Sequence, residues 1–293
     1  MSEDACHHPE LSQVLANHPR QWETMHYIYL VISRRAGGLS VGINLNTNQV
    51  CNFNCVYCCV DRTATPDLKP MDLEVLDREL RMLLEQVASG ELWRYPAFAD
   101  VPEDWRHLCD LAFSGDGEPT ACSQFEQAIE RVALIKKQMG LDGAKLVLIT
   151  NATMLDRPRV ARGVARLDAA GGEVWAKLDA GTPAYYQKVD RSAVPLKRVL
   201  SNLLACGQAR PIVLQTMLMK MRGQPMPPDQ FEAYLDRVDE LVQQGCQIKA
   251  VQLYTVARQT AESWVTPLEP AQLSHFESVM KRRFPSLDVG SYA

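Results

Sequence analysis

Two kinds of segment alternate along this chain of 293 residues, and their alternation restricts the fold most strongly. Short apolar, β-rich runs are typical of buried strands, and longer runs with apolar side chains at helical spacing are typical of helices that cover a sheet. The predicted strands cover residues 39–45, 110–114, 145–150, 174–179, 211–219 and 248–256, and the predicted helices 71–89, 125–139, 231–244 and 271–284. Strands and helices in this order form βαβ units with parallel strands and right-handed crossovers. We therefore expect an α/β fold that curls into an open or closed barrel.

We expect a single main domain, because the sequence contains no internal repeat and no long linker. Residues 1–38 are interpreted as an N-terminal extension, residues 39–260 as the barrel, and residues 261–293 as a C-terminal helix and tail. Asp72 is placed where an N-cap would begin the first long helix.

Charge and hydropathy narrow the possible partners. The net charge of −4 provides no general attraction to a polyanion. No apolar run approaches the ~18 residues of a membrane span, and the acidic, polar N-terminus does not resemble a signal peptide. We therefore expect a cytoplasmic protein without a membrane partner. Because that compartment is reducing, the nine cysteines are not expected to form a disulfide framework.

Directly after the first predicted strand comes a C-x3-C-x2-C array formed by Cys51, Cys55 and Cys58. Cysteines at such short spacings let one loop hold an iron–sulfur cluster, and three ligands leave one iron without a protein thiolate. The alternatives are a zinc site or a fortuitous cysteine-rich turn. Structural zinc sites usually draw four ligands from two pairs, and the adjacent Cys59 is poorly placed to be the fourth. The remaining cysteines show no second grouping of this kind.

The second predicted strand ends in a glycine-rich segment, Gly115-Asp116-Gly117-Glu118. Glycines allow the backbone to approach a ligand closely, and a carboxylate can accept hydrogen bonds from an ammonium group. A simple turn before a helix is the alternative for these residues taken alone.

Polar side chains also stand near the carboxyl ends of the later strands, where parallel barrels bind ligands. These candidates are Asn151, Lys177, Asp179, Gln215, Tyr254 and Arg258. Lys177 and Asp179 share a strand face with Trp175 and are costly to bury unless they are paired or bound to a ligand. A private salt bridge between Lys177 and Asp179, and a capping role for Asn151 in a turn, are the structural alternatives.

Together, the cysteine array and the glycine-rich segment resemble the radical S-adenosylmethionine (SAM) superfamily. The resemblance implies a partial, TIM-like (β/α)6 barrel with a [4Fe–4S] cluster on Cys51, Cys55 and Cys58. It implies that SAM chelates the fourth iron, with Tyr57 next to the adenine and the segment from Gly115 to Glu118 at the methionyl amine. Lys177 and Asp179 are then expected near the cofactor or the substrate, and Lys177 and Arg258 are the candidate catalytic residues.

The activity that the resemblance implies is reductive cleavage of SAM to a 5′-deoxyadenosyl radical, with an electron from a flavodoxin or ferredoxin-like donor. The segments Ser33-Arg34-Arg35 and Gly42-Ile43-Asn44-Leu45 are similar to a narrower branch, which contains wyosine-type tRNA-modifying synthases and uncharacterised bacterial relatives. Those synthases carry a second cluster, whereas this chain has no second cysteine trio and is acidic. A small-molecule or peptide substrate is therefore expected rather than tRNA. A tRNA-modifying enzyme and a non-catalytic iron–sulfur or zinc protein remain the alternatives.

Overall fold

The computed structural model describes residues 24–60, 65 and 69–293, so most of the predicted N-terminal extension lies outside the described residues. The strands are β1 (Ile28–Ser33), β2 (Gly38–Ile43), β3 (Leu108–Phe113), β4 (Lys145–Thr150), β5 (Glu173–Lys177), β6 (Ile212–Met217), β7 (Met219–Met221), β8 (Ile248–Tyr254), β9 (Val265–Pro267) and β10 (Asp288–Tyr292). The helices are α1 (Leu73–Ser89), α2 (Phe125–Gln138), α3 (Pro158–Ala169), α4 (Pro183–Val189), α5 (Leu196–Ala209), α6 (Pro228–Gln243) and α7 (Pro270–Arg283).

One curled sheet of eight strands forms the centre of the fold, in the order β1-β2-β3-β4-β5-β6-β8-β10. Strand β1 is antiparallel to β2, and every other neighbouring pair in this sheet is parallel. The six predicted strands correspond to β2, β3, β4, β5, β6 and β8. The predicted α/β fold with a partial, TIM-like barrel is confirmed.

The two edge strands were not predicted. Strand β1 comes from the segment interpreted as an N-terminal extension, and β10 from the C-terminal tail. Strand β1 precedes the strand–helix alternation, whereas β10 follows helix α7 but is a short segment in which only Val289 is buried, so its sequence carries a weak strand pattern. The division of the chain at residues 39 and 260 stays a prediction, with these strands extending the sheet on either side.

Helices cover the outer face of the sheet, where the main apolar core lies. Helix α1 begins as predicted at Asp72, whose side chain accepts hydrogen bonds from the backbone N–H groups of Glu74 and Val75. The inner face carries a small apolar layer of Ala112, Val147, Trp175 and Val213, with polar side chains above and below it. In the described part of the chain, no helix is both long and apolar enough to cross a membrane.

Candidate active site

A cavity of about 270 Å³ opens at the carboxyl ends of the parallel strands. All the predicted site residues except one line it: Cys51, Cys55, Tyr57, Cys58, Gly115, Asp116, Gly117, Glu118, Asn151, Lys177, Gln215, Tyr254 and Arg258. Asp179, the exception, is buried just beyond β5. The fold thus brings together loops that are distant in sequence, at the end of the barrel where ligands bind in such folds.

The cysteine loop is held against the segment that follows helix α4. The backbone N–H groups of Asn54 and Val56 each donate a hydrogen bond of 2.9 Å, to the carbonyl oxygens of Asp190 and Val189. The Ser192 hydroxyl donates to the carbonyl of Asn52 at 2.6 Å. These bonds position the cysteines through the backbone, independently of anything the thiols bind.

The three cysteines of the array are half-buried and line one cavity. The Cys55 thiol donates to Asp190 Oδ1 at 3.5 Å, and burial, followed by the nearby Asp190, raises the pKa of this thiol well above its ordinary value. Among the described residues, no three His, Cys, Asp or Glu side chains gather closely enough to hold one metal ion. A zinc ion draws all its ligands to one centre, whereas each thiolate of a cube-shaped cluster binds a separate iron. Three thiols on one cavity wall are a donor set that fits such a cluster.

The glycine-rich segment packs its backbone against the start of the cysteine loop. The Glu118 N–H donates to the Val50 carbonyl at 2.9 Å. A Cβ atom on Gly117 would lie 2.3 Å from that same carbonyl oxygen, and one on Gly115 would lie 2.4 Å from Asn44 Oδ1. Glycine is therefore required at both positions by close approach, which lets this segment pack directly against the backbone that leads into the cysteine loop.

The two carboxylates of this segment have different surroundings. Glu118 is buried and accepts four hydrogen bonds, two from Thr120 and one each from the Thr150 hydroxyl and the Asn151 N–H. Burial raises the pKa of Glu118, against the lowering effect of these donors. Glu118 therefore ties the segment to the end of β4. Asp116 is half-buried on the cavity wall, where Asn44 Nδ2 donates to it at 2.7 Å.

A hydrogen-bonded group of side chains connects the cysteine loop to the opposite wall. Lys177 Nζ donates to the hydroxyls of Tyr57 at 2.9 Å and Tyr254 at 3.0 Å, and the Tyr57 hydroxyl donates to Asp179. The Tyr57 hydroxyl thus stands between Lys177 and Asp179, in place of the private salt bridge that was the alternative. Burial alone would lower the pKa of Lys177, but Tyr254 and Asp179 raise it well above its ordinary value. Lys177 is a cation here and not a free amine nucleophile.

The remaining predicted residues take mixed roles. Asn151 Oδ1 accepts hydrogen bonds from Thr153, as in the predicted turn alternative, while its Nδ2 points to Asn52 Oδ1 at 3.2 Å and to Cys51 Sγ at 3.8 Å. Gln215 Nε2 donates to Gln252 Oε1 at 2.8 Å. Gln215 Oε1 is buried and accepts no hydrogen bond. Buried polar atoms are rarely left unpaired, so this oxygen is free to receive a donor from a ligand.

The sequence assigned no role to several residues of the site. Asp190, which contacts Cys55, lies outside any recognisable spacing, and Asn44, which holds Asp116, belongs to the segment Gly42-Ile43-Asn44-Leu45 that carries the narrower resemblance. Asp110 and Arg35 also line the cavity. The alternation of side chains along the strand could have indicated that Asp110 faces the inside of the barrel. Arg35 belongs to the segment Ser33-Arg34-Arg35, to which the sequence assigned no role.

The sequence of this chain matches the Radical SAM superfamily over residues 45–238. This match spans the cysteine array, the glycine-rich segment and most of the barrel. The chain is a member of the radical SAM superfamily. The resemblance to this superfamily found in the sequence is confirmed, while the narrower relation to wyosine-type synthases stays a prediction.

The chain is 26% identical over 194 residues to a UPF0026 protein of Synechocystis, covering 62% of this chain and 61% of the relative. It is 26% identical over 196 residues to a UPF0026 protein of Helicobacter pylori J99, covering 65% of this chain and 55% of the relative. The chain thus spans about six tenths or less of the length of these relatives.

Two solved structures are similar in fold to this chain. TYW1 with a lysine-pyruvate adduct bound has a TM-score of 0.55 at 12% identity, covering 87% of this chain and 84% of that one. Streptococcus suis SuiB bound to S-adenosylmethionine has a TM-score of 0.59 at 12% identity, covering 89% of this chain and 52% of that one. At these identities the likeness concerns the fold alone.

Proposed function

We propose that this protein binds a [4Fe–4S] cluster on Cys51, Cys55 and Cys58, and SAM next to it, and cleaves SAM reductively to act on an organic substrate. The observation that carries the proposal is that three half-buried thiols and the glycine-rich segment line the same cavity. Cys51, Cys55 and Cys58 would hold the cluster, which when reduced would supply one electron for cleavage of a C–S bond of SAM to methionine and a 5′-deoxyadenosyl radical. This radical would abstract a hydrogen atom from the substrate. Splitting a sulfonium requires a cluster potential near the negative end of the range of about −700 to +450 mV.

The chain's own residues would hold, orient and shield these groups. The bonds from Asn54 and Val56 fix the cysteine loop, and the close-packed glycines hold the glycine-rich segment against the start of that loop. The Asp116 carboxylate on the cavity wall is available to accept hydrogen bonds from its ammonium group.

The opposite wall would recognise the polar groups of SAM or substrate. Lys177 presents a fixed positive charge, oriented by the hydroxyls of Tyr57 and Tyr254. Gln215 Oε1 offers an unused acceptor. The apolar layer with Trp175 lies on the same inner face and would limit contact of this part of the cavity with water, which protects a reactive radical from side reactions.

A flavodoxin or ferredoxin-like protein is the proposed electron donor, and a small molecule or peptide the proposed substrate. The acidic net charge of −4 argues against tRNA, because phosphate contacts normally depend on a positive surface. If the substrate is nevertheless tRNA, bulk tRNA should stimulate deoxyadenosine formation, and the stimulation should fall steeply between 50 mM and 200 mM salt.

The test is anaerobic reconstitution with iron and sulfide, followed by metal analysis, absorbance near ~400 nm and measurement of deoxyadenosine after chemical reduction with dithionite. We expect a brown protein with about four iron and four sulfide per chain, and deoxyadenosine that requires both SAM and reductant. A colourless protein that binds zinc without sulfide, or a cluster that never yields deoxyadenosine, would contradict the proposal.

A further inference from the structure

Arg35 lies in the turn that connects the antiparallel edge strand β1 to β2. The turn is closed by hydrogen bonds from the Gly37 N–H to the Ser33 carbonyl at 2.8 Å and from the Ala36 N–H to the Ser33 hydroxyl at 3.2 Å. Gly37 has a φ of 77°, a left-handed conformation that favours glycine. The backbone that carries Arg35 is therefore well defined.

The Arg35 side chain stands where three cavities of the barrel meet. It lines the 270 Å³ cavity at the cysteine loop, an inner cavity of about 210 Å³ and a side cavity of about 130 Å³ between β1 and the end of β8. Its guanidinium carbon lies 5.0 Å from the centre of the Tyr254 ring. A group in this position is accessible both to the radical-forming end of the barrel and to a ligand entering from the side.

The charge of Arg35 is not paired within the described residues. Stacking on Tyr254 is its direct contact there, and neither a hydrogen bond nor an ion pair uses its guanidinium donors. The other two cations of the inner cavity differ: Lys145 and Lys249 pair with Glu173 at 3.2 Å and 2.6 Å. A half-buried guanidinium has five N–H donors, and leaving them without acceptors is unfavourable.

The nearest acid does not fulfil this role. Asp110 lines both the inner cavity and the cavity at the cysteine loop, and it influences Arg35 electrostatically, but its hydrogen bond comes from the Ser40 hydroxyl. On the same inner face, Gln215 Oε1 lacks a donor. The lining therefore offers unused donors at Arg35 and an unused acceptor at Gln215.

We infer that Arg35 binds an oxyanion group, carboxylate or phosphate, of a small acidic substrate that also carries a hydroxyl or amine facing Gln215. Guanidinium groups bind both kinds of oxyanion through two parallel hydrogen bonds. The inference rests on the proposed function, since it names the class of substrate for the same cavity. It differs from the cofactor site because Arg35 belongs to the hairpin and not to the cysteine loop or the glycine-rich segment.

Calorimetric titration of the anaerobic, SAM-loaded protein tests this inference, with D-glycerate, inorganic phosphate and neutral glycerol as probes. We expect one or both anions to bind and glycerol not to bind. Tighter binding of glycerate would identify a carboxylate group, and tighter binding of phosphate a phosphate group. Absence of binding by both anions overturns the inference.

The variant Arg35→Gln should weaken anion binding by about tenfold or more, the loss of one charge-assisted hydrogen-bonded pair. Arg35→Lys keeps the positive charge but not the two parallel N–H donors, so its anion affinity should lie between those of the wild type and Arg35→Gln. The control Lys249→Gln removes a cation of the inner cavity that is already paired, and should change anion affinity less than about twofold. Equal weakening in both glutamine variants would mean that only general charge matters, and would overturn the inference.

SAM affinity and thermal unfolding are measured for each variant. Arg35→Gln should retain the SAM affinity and folding of the wild type; if it loses SAM and anion together, Arg35 serves the cofactor and the inference fails. Failure of the proposed function is a separate result, because it is read from absent iron, sulfide or deoxyadenosine in the wild-type protein.

Discussion

The two ends of the barrel's inner space are built differently. At the carboxyl end, both loops and strand ends supply the polar groups, and bonds to backbone atoms hold the cysteine loop, as with Asn54 and Val56. At the amino end, strand residues supply them and pair side chain to side chain, as Glu173 does with Lys145 and Lys249. Among the described residues, the carboxyl end offers an acceptor without a donor at Gln215 Oε1, whereas at the amino end Lys145 and Lys249 are paired and Arg35 is not. Binding chemistry is expected where the protein has not already satisfied its own polar groups.

The largest difference between the two ends concerns iron. Cys55→Ala removes a thiol of the cysteine loop and should abolish cluster incorporation, because two thiolates cannot hold the cube in this cavity. Cys206→Ala removes a buried thiol of helix α5 and should leave the iron content unchanged. Iron and sulfide analysis after anaerobic reconstitution measures both. Equal loss in the two variants would refute the ligand assignment.

Backbone packing at the carboxyl end should be the next most sensitive feature. In Gly117→Ala the new Cβ would lie 2.3 Å from the Val50 carbonyl oxygen, so backbone must move, and we expect a loss of about 1–3 kcal/mol in the free energy of unfolding. The matched change Gly143→Ala places its Cβ in open space and should be neutral within about 1 kcal/mol. Urea unfolding compares them; an unaffected Gly117→Ala would show that the loop is looser than described.

At the amino end, the buried carboxyl group of Asp110 should make the free energy of unfolding depend on pH. Burial raises the pKa of Asp110 from 3.8 to about 6, with Ser40, Arg35 and Lys145 opposing and Glu173 adding to the rise. The folded state therefore binds more protons than the unfolded state between about pH 4 and 6, and stability falls as the pH rises through this window. Asp110→Asn should lack this fall and gain on the order of 2–3 kcal/mol over the wild type above pH 6.

Urea unfolding of both proteins at pH 4 and pH 7 measures this effect. If the difference between wild type and Asp110→Asn is the same at both pH values, the buried acid does not titrate as described.

The smallest effect is expected from a single paired cation at the amino end. Lys249 has a side chain 54% exposed, and Glu173 keeps Lys145 and the Trp175 indole N–H as partners when it is lost. Lys249→Gln should therefore change the free energy of unfolding by less than about 1 kcal/mol. A larger loss in thermal or urea unfolding would show that the charge pairs at this end act as a network.

The contrast also explains what the sequence could predict. The cysteine array and the glycine-rich segment are each a short stretch of sequence, so the spacing within each indicates a binding function. Their positions after β2 and β3 place both at one end of a parallel barrel. The strand alternation predicted six strands for the same reason. Local patterns are readable because the chain itself fixes the distances.

Contacts between residues that meet only through tertiary packing could not be predicted from such local patterns. Asp179 was expected beside Lys177 on a cavity wall, yet the Tyr57 hydroxyl lies between them. Glu118 was predicted to bind a ligand, and this stays a prediction. The four hydrogen bonds that it accepts give it a structural role as well, which the sequence did not indicate. The position of Arg35 depends on the hairpin of β1 and β2, which the alternation of strands and helices does not predict.

That hairpin has a bearing on how such enzymes diversify. Because β1 adds to the sheet by antiparallel pairing with β2 alone, its turn can change in length or composition without disturbing any helix crossover, the cysteine loop or the glycine-rich segment. Proteins with this barrel can therefore keep the same core and differ in the few residues of the β1–β2 turn, and with them in the substrate that they bind.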